Sequence, residues 1–112
     1  MAYDLDLANR LRACLAGEPG LSERAMFGGL AFLINGNMSV SASGQGGLLI
    51  RVDPEQTDAL AERAHAQRFV MRGREMDGWL RVDAEGVKTK RDLSRWVAIS
   101  VTYARGLPPK KR

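Results

Sequence analysis

Residues 30–41 read Leu30-Ala31-Phe32-Leu33-Ile34-Asn35-Gly36-Asn37-Met38-Ser39-Val40-Ser41, two extended runs on either side of an Asn-Gly pair. Asn and Gly both tolerate positive φ, which a two-residue turn needs if its twist is to match the strands it joins, so this stretch predicts a β-hairpin. Strands joined by hairpins run antiparallel, and that sets the kind of sheet to which the rest of the chain must add.

Working outward, Ser43-Gly44-Gln45-Gly46-Gly47 turns the chain into a third strand, Leu48-Leu49-Ile50-Arg51-Val52. Upstream, Gly28-Gly29 falls inside an otherwise extended run from Arg24 to Ile34, where a bulge or sharp bend is expected. Asp53-Pro54 opens a helix, with Asp53 as cap, Pro54 at the first helical position and Gln56 placed to return the capping bond. Thr57, Leu60, Ala61 and Ala64 give that helix a narrow face of small side chains, able to lie close to a sheet. Phe69-Val70-Met71 and Gly78-Trp79-Leu80-Arg81-Val82 are two further strands, separated by the charged stretch Arg72-Gly73-Arg74-Glu75.

The two ends of the chain show helical periodicity. In residues 4–16, Leu7, Leu11, Cys14 and Leu15 share one arc, with Asp4 and Gly17 placed as caps, which puts Cys14 on the buried stripe. From Lys90 to Arg105, the shared face is Leu93, Trp96, Val97, Ser100, Val101 and Ala104. The expected architecture is α+β: a two-layer domain with an antiparallel sheet of about five strands covered by helices, in the order α-β-β-β-α-β-β-α. Residues 1–106 form one domain in this reading. Residues 107–112, Leu107-Pro108-Pro109-Lys110-Lys111-Arg112, form a flexible basic tail, because paired prolines cannot continue the helix and nothing apolar follows them.

A chain of 112 residues is long enough to bury about two thirds of its unfolded surface without staples. Its 45% hydrophobic and 27% charged residues exclude intrinsic disorder. Cys14 has no second cysteine to pair with, which favours a reducing compartment and a cytoplasmic protein. The opening MAYDLDLANR is acidic where a signal peptide is basic, and no apolar run approaches the roughly 18 residues a membrane span needs. The net charge of +4 comes from 17 basic and 13 acidic residues mixed along the chain, a balance that serves solubility as readily as nucleic-acid binding.

The residue types that carry chemistry are sparse. A thiolate nucleophile needs an exposed, base-activated cysteine, and Cys14 falls on an apolar stripe while His65, the single histidine, sits at the edge of the second helix's apolar face. A zinc site needs three or four ligands, and one thiol with one imidazole cannot supply them. Asp4, Asp6, Asp53, Glu55 and Glu62 occupy caps and polar helix faces. Gly44-Gln45-Gly46-Gly47 joins two strands rather than a strand and a helix, which is hairpin chemistry and not a phosphate cradle. No enzyme, metal or cofactor is expected.

Two clusters combine arginine, methionine, an aromatic and glycine, a composition suited to adaptable protein contacts: Arg24-Ala25-Met26-Phe27-Gly28-Gly29 and Gly73-Arg74-Glu75-Met76-Asp77-Gly78-Trp79. The same residue types also fill cores, the preferred reading for Phe27 and Trp79, which leaves Arg24 and Arg74 as anion or partner contacts. The partner-binding set is Arg24, Met26, Phe27, Arg74 and Met76. A nucleic-acid set is Lys88, Lys90, Arg91 and Arg95 at the start of the last helix, with Lys110, Lys111 and Arg112. If all of these met phosphates, affinity would fall with salt at a logarithmic slope of roughly −6. A solvated helix face and a solubilising tail are the preferred reading, since such cations are common on surfaces and no helix-turn-helix spacing or stacking platform accompanies them.

These blocks resemble the N-terminal domain of the TfoX/Sxy family. The likeness rests on Arg24-Ala25-Met26-Phe27-Gly28-Gly29-Leu30-Ala31-Phe32, Asn35-Gly36-Asn37-Met38, Leu49-Ile50-Arg51-Val52-Asp53, and Gly73-Arg74-Glu75-Met76-Asp77-Gly78-Trp79. It closes with Leu93-Ser94-Arg95-Trp96-Val97 and Tyr103-Ala104-Arg105-Gly106-Leu107-Pro108. The resemblance implies a two-layer domain shaped like secretion chaperones, and a role related to the regulation of natural competence. The sequence corresponds to the first domain of longer members and not to their C-terminal helical domain, and the family supplies no catalytic residues to carry over. The resulting expectation is a non-enzymatic regulatory or adaptor domain that binds another protein, or a second copy of itself, through a sheet edge or the Arg24/Arg74 region. The alternative is weak, salt-dependent DNA binding through the last helix and the basic tail.

Overall fold

The computed structural model describes residues 3–26 and 28–109. Its centre is the Asn35-Gly36 hairpin, with φ of +52° and +83° at the two turn residues, joining β2 (Gly29–Ile34) to β3 (Asn37–Ala42). At Gly28-Gly29 the chain does not merely bulge; it reverses. Leu21–Met26 form β1, paired antiparallel with β2 from Leu21↔Ile34 to Met26↔Gly29, and Gly28 supplies a φ of +76°. The sheet therefore has six strands rather than about five. The extra strand hides in the sequence because Ser22, Glu23, Arg24 and Ala25 are all exposed at a sheet edge, so no apolar alternation marks it.

The remaining strands are β4 (Leu48–Arg51), β5 (Ala66–Met71) and β6 (Arg74–Val82), and the sheet order is β1-β2-β3-β4-β6-β5 with every pair antiparallel. Arg72 and Gly73, at φ +54° and +78°, make a second two-residue turn, so Arg74 and Glu75 belong to a strand and not to a connecting loop. With helices α1 (Leu5–Leu15), α2 (Thr57–Ala61) and α3 (Lys90–Arg105), the order is α-β-β-β-β-α-β-β-α, an α+β domain.

The helices begin where local chemistry starts them. Asp4 accepts from the backbone N–H of Asp6 (2.9 Å) and Leu7, and Thr89 accepts from Asp92 (3.1 Å). Asp53 accepts from Glu55, but only a 3-10 turn, Pro54–Gln56, follows directly. The helix is shorter than expected, and Gln56 returns no capping bond. Thr57 does more than pack: its hydroxyl donates to the Pro54 carbonyl and accepts from the Gly78 N–H (both 2.8 Å), tying α2 to β6. Ala64, expected on the helix's packed face, lies beyond it and is exposed.

All three helices lie on one face of the sheet. Leu30, Phe32, Val40, Ala42, Leu48, Ile50, Leu80 and Val82 meet Leu7, Leu11 and Leu15 of α1, Leu60 of α2, and Leu93, Trp96 and Val97 of α3. Burying each large aliphatic side chain contributes about 1.5–3 kcal/mol, so this layer holds the fold together. The register of β2 on β3 slips between Phe32↔Val40 and Leu33↔Met38, leaving Ser39 as the extra residue of a bulge. Its hydroxyl lies 2.9 Å from that of Ser100 on α3, so two fully buried polar groups satisfy each other. Beyond α3, the Pro108 carbonyl accepts from Asn37 Nδ2 (2.9 Å), and Arg105 donates to Glu18 (2.6 Å), which places the start of the tail against the β2–β3 hairpin. Lys110, Lys111 and Arg112 lie outside the described residues.

Candidate protein-binding face

Antiparallel partners point to the same side of a sheet, so the register identifies what faces away from the helices. One row crosses the sheet as Arg24-Ala31-Ser41-Leu49-Arg81-Gln67. Beside it, Ser22, Leu33 and Met38 share one position and Arg51 and Trp79 another. Ala31, Leu33, Met38 and Leu49 form a second apolar cluster, with Met26, Phe69 and Trp79 packed half-buried around it. Alternation from Phe69 puts Met71 on the same side, and with it Arg74, its partner across the β5–β6 hairpin.

Charge is sorted between the two faces. Arg24, Arg51, Arg74 and Arg81 lie on the outer face, and no strand position there is Asp or Glu. The strand carboxylates point the other way. Glu23, paired with Phe32, accepts two hydrogen bonds of 2.9 Å from Arg12 of α1, and that guanidinium holds the Glu23 carboxyl below the usual carboxylate range. Glu75 and Asp77 of β6 converge with Asp58 of α2 on Arg68.

The four outer arginines are held differently. Arg24 and Arg74 are exposed and have no ion-pair partner among the described residues. Arg51, at the end of β4, lies 5.4 Å from the centroid of the Trp79 ring and 6.0 Å from that of Tyr103 on α3, so its guanidinium is drawn round the end of the sheet toward the helix layer. Arg81 donates to Ser43 Oγ and to the Gly46 carbonyl, each at 3.0 Å, and so braces the loop before β4.

Of the partner-binding set, Arg24 and Met26 sit on β1 near one edge, and Arg74 and Met76 on β6 near the other. Four strand spacings separate β1 from β6 in the sheet order, about 19 Å at about 4.8 Å each. Arg24 and Met26 therefore share a face with Arg74, but the two clusters do not touch. Phe27 lies outside the described residues. Leu33, Met38, Leu49 and Arg51 between them, and Phe69 on β5 beyond β6, were not singled out in the sequence as site residues. Their signal was the unbroken apolar run of β2, buried at every position, since a strand with one solvated face should alternate.

Lys88, Lys90, Arg91 and Arg95 are all exposed around the start of α3, away from the outer face. Arg95 lines a groove of about 220 Å³ with Arg63, His65, Asp92 and Trp96. Cys14 is half-buried rather than buried, its sulfur 3.7 Å from the Ser94 hydroxyl. His65 lies past the end of α2 in a left-handed conformation (φ +69°), exposed, with Nδ1 3.2 Å from Asp83. Thiol and imidazole thus have separate partners. No described helix is long and apolar enough to cross a membrane.

The fold and its open face define a two-layer α+β domain whose sheet carries helices on one side only. The chain belongs to the TfoX N-terminal domain family, whose model matches residues 13–104. Comparison with curated proteins and with solved structures gives no match.

Proposed function

We propose that this chain is a non-enzymatic, cytoplasmic regulatory or adaptor domain that acts by holding another protein, in transcriptional regulation related to competence. The observation that carries the reading is the outer face of the sheet. A sheet of this class stabilises itself by covering its apolar faces, and here one face keeps Met26, Phe69 and Trp79 partly in water among arginines without carboxylates. Methionine, aromatics and arginine are the residues enriched where protein surfaces meet. Family membership supports the regulatory setting.

A photo-crosslinking amino acid placed at Met26 and, as control, at the exposed Ala98 of α3 tests this in the protein's own cells. The expected result is one dominant covalent partner from position 26 that position 98 does not give, and altered competence-gene transcripts when the chain is removed. The same products from both positions, or none from 26, would sink the reading.

A further inference from the structure

We infer that the partner adds an extended strand to the sheet at the free edge of β1, with an acidic residue seated opposite Arg24. The inference rests on the adaptor reading above and names the form and the charge of what is held. The sheet order leaves two edges, β1 and β5, and they are built differently. β1 pairs with β2 in one unbroken register from Leu21↔Ile34 to Met26↔Gly29, contains no proline, and exposes Ser22, Glu23, Arg24 and Ala25. The register of β5 on β6 shifts between Arg68 and Val70. Such a shift bends a strand and blunts its edge, so β1 is the better template.

Backbone groups select the kind of occupant. In an edge strand, alternate residues turn their N–H and C=O away from the neighbouring strand. Among the described residues, β2 alone bonds the backbone of residues 22–26. Donors and acceptors spaced along a strand are matched by another extended backbone and not by a helix, whose own groups are bonded along its axis. Side chains then select the charge. Glu23, on the helix side, is already held by Arg12. Arg24, on the outer side, is exposed without an ion pair, and Met26 is half-buried next to it on that side. Residues paired across strands share a face, so an acidic residue opposite Arg24 with an apolar one two places away, opposite Met26, suits both. A second copy of this chain is the poorer occupant. A two-fold axis pairs residues of the same face, and the registers that keep most of β1 paired set Arg24 against Arg24 or Glu23 against Glu23.

The test uses the full chain and a blocked peptide of threonines with Glu at its centre and Val two places to either side. Amide shifts should show saturable binding centred on β1. Alternate β1 amides that exchange freely in the unbound protein should slow about tenfold at saturation. Arg24→Glu should weaken this peptide about threefold and reverse the preference toward a peptide with Lys at the centre. Ser22 and Ala25 have opposite parity, so one N–H points at β2 and the other away from it. Of Ser22→Pro and Ala25→Pro, the variant that keeps the native spectrum is the one whose N–H points outward, and it should bind the peptide about fivefold more weakly. No saturable binding, unchanged exchange along β1, shifts centred on β5 or α3, an unaltered preference in Arg24→Glu, or a dimer that already protects the β1 amides would each overturn the inference. If crosslinking at Met26 captures a partner as readily from the folded proline variant as from the native chain, the inference fails and the adaptor reading stands. If position 26 captures nothing, both fail.

Discussion

The two faces of one sheet have been given different work. On the helix side, eight strand residues from Leu30 to Val82 meet side chains from all three helices, and most are fully buried. On the outer side, a cluster of four buried residues is ringed by half-buried ones and arginines. The first face is a core closed by helices, and the second is a smaller cluster closed by the strands' own side chains, with Met26, Phe69 and Trp79 left half-buried at its surface. The difference teaches that burial alone does not separate stability from function here; what separates the two faces is whether a layer of helices closes the cluster or only half-buried side chains do.

The sharpest break in that comparison is a matched pair of aromatic truncations. Phe32 is fully buried against the helices, so Phe32→Ala should cost about 3–5 kcal/mol. Phe69, half-buried on the outer face, should cost less than about 2 kcal/mol as Phe69→Ala. Urea unfolding at constant m-value reads both, and Phe32→Leu serves if the alanine variant does not fold. Equal costs would mean that the outer cluster is a second core and not a docking face.

A pair of hydroxyls sharpens the contrast at smaller scale. Ser100→Ala strands both the buried Ser39 hydroxyl and the Ser39 carbonyl, to which the Ser100 hydroxyl donates, a loss of about 1–3 kcal/mol. Ser41, on the outer face, bonds only to the neighbouring Ala42 carbonyl at 3.3 Å, and Ser41→Ala should stay within about 0.5 kcal/mol. If Ser39→Ala with Ser100→Ala costs as much as the single Ser100 change, the hydroxyl–hydroxyl contact contributes little and the bond from Ser100 to the Ser39 carbonyl is what stabilises the bulge.

Much of the helix face was legible in the sequence. The period of α3 named Leu93, Trp96, Val97, Ser100, Val101 and Ala104, all buried except Val101, which is half-buried at the edge of the core, and Asn35-Gly36 placed the central hairpin because its turn chemistry admits few alternatives. The outer face was harder to read. β1 is an edge strand whose exposed residues carry no pattern, so Arg24 and Met26 looked like part of a longer β2 rather than the far rim of a sheet. Met76 and Arg74 were visible by composition, but their distance from Arg24 depends on strand order, which β6 sets by inserting itself between β4 and β5. No local spacing encodes that.

The smallest expected effect lies at β1, where the two faces meet in adjacent residues. Glu23 points to the helix side and its carboxyl is lowered by the hydrogen bond from Arg12, while Arg24 points outward and has no such partner. A folded carboxyl held below its unfolded value contributes stability above the unfolded pKa of about 4.3, and that contribution is lost as pH falls through the folded value. Both side chains of the pair are more than a third exposed, at 40% and 36%, so solvent and salt screen most of it. Glu23→Gln should therefore lower the urea midpoint slightly at pH 7, and the gap should narrow as pH falls below the usual carboxylate range, toward pH 3. Arg24→Gln should leave the midpoint unchanged at both. A gap at Glu23 that does not change between pH 7 and pH 3 would point to lost packing on α1, and a loss at Arg24 would show that Arg24 is braced by its own chain.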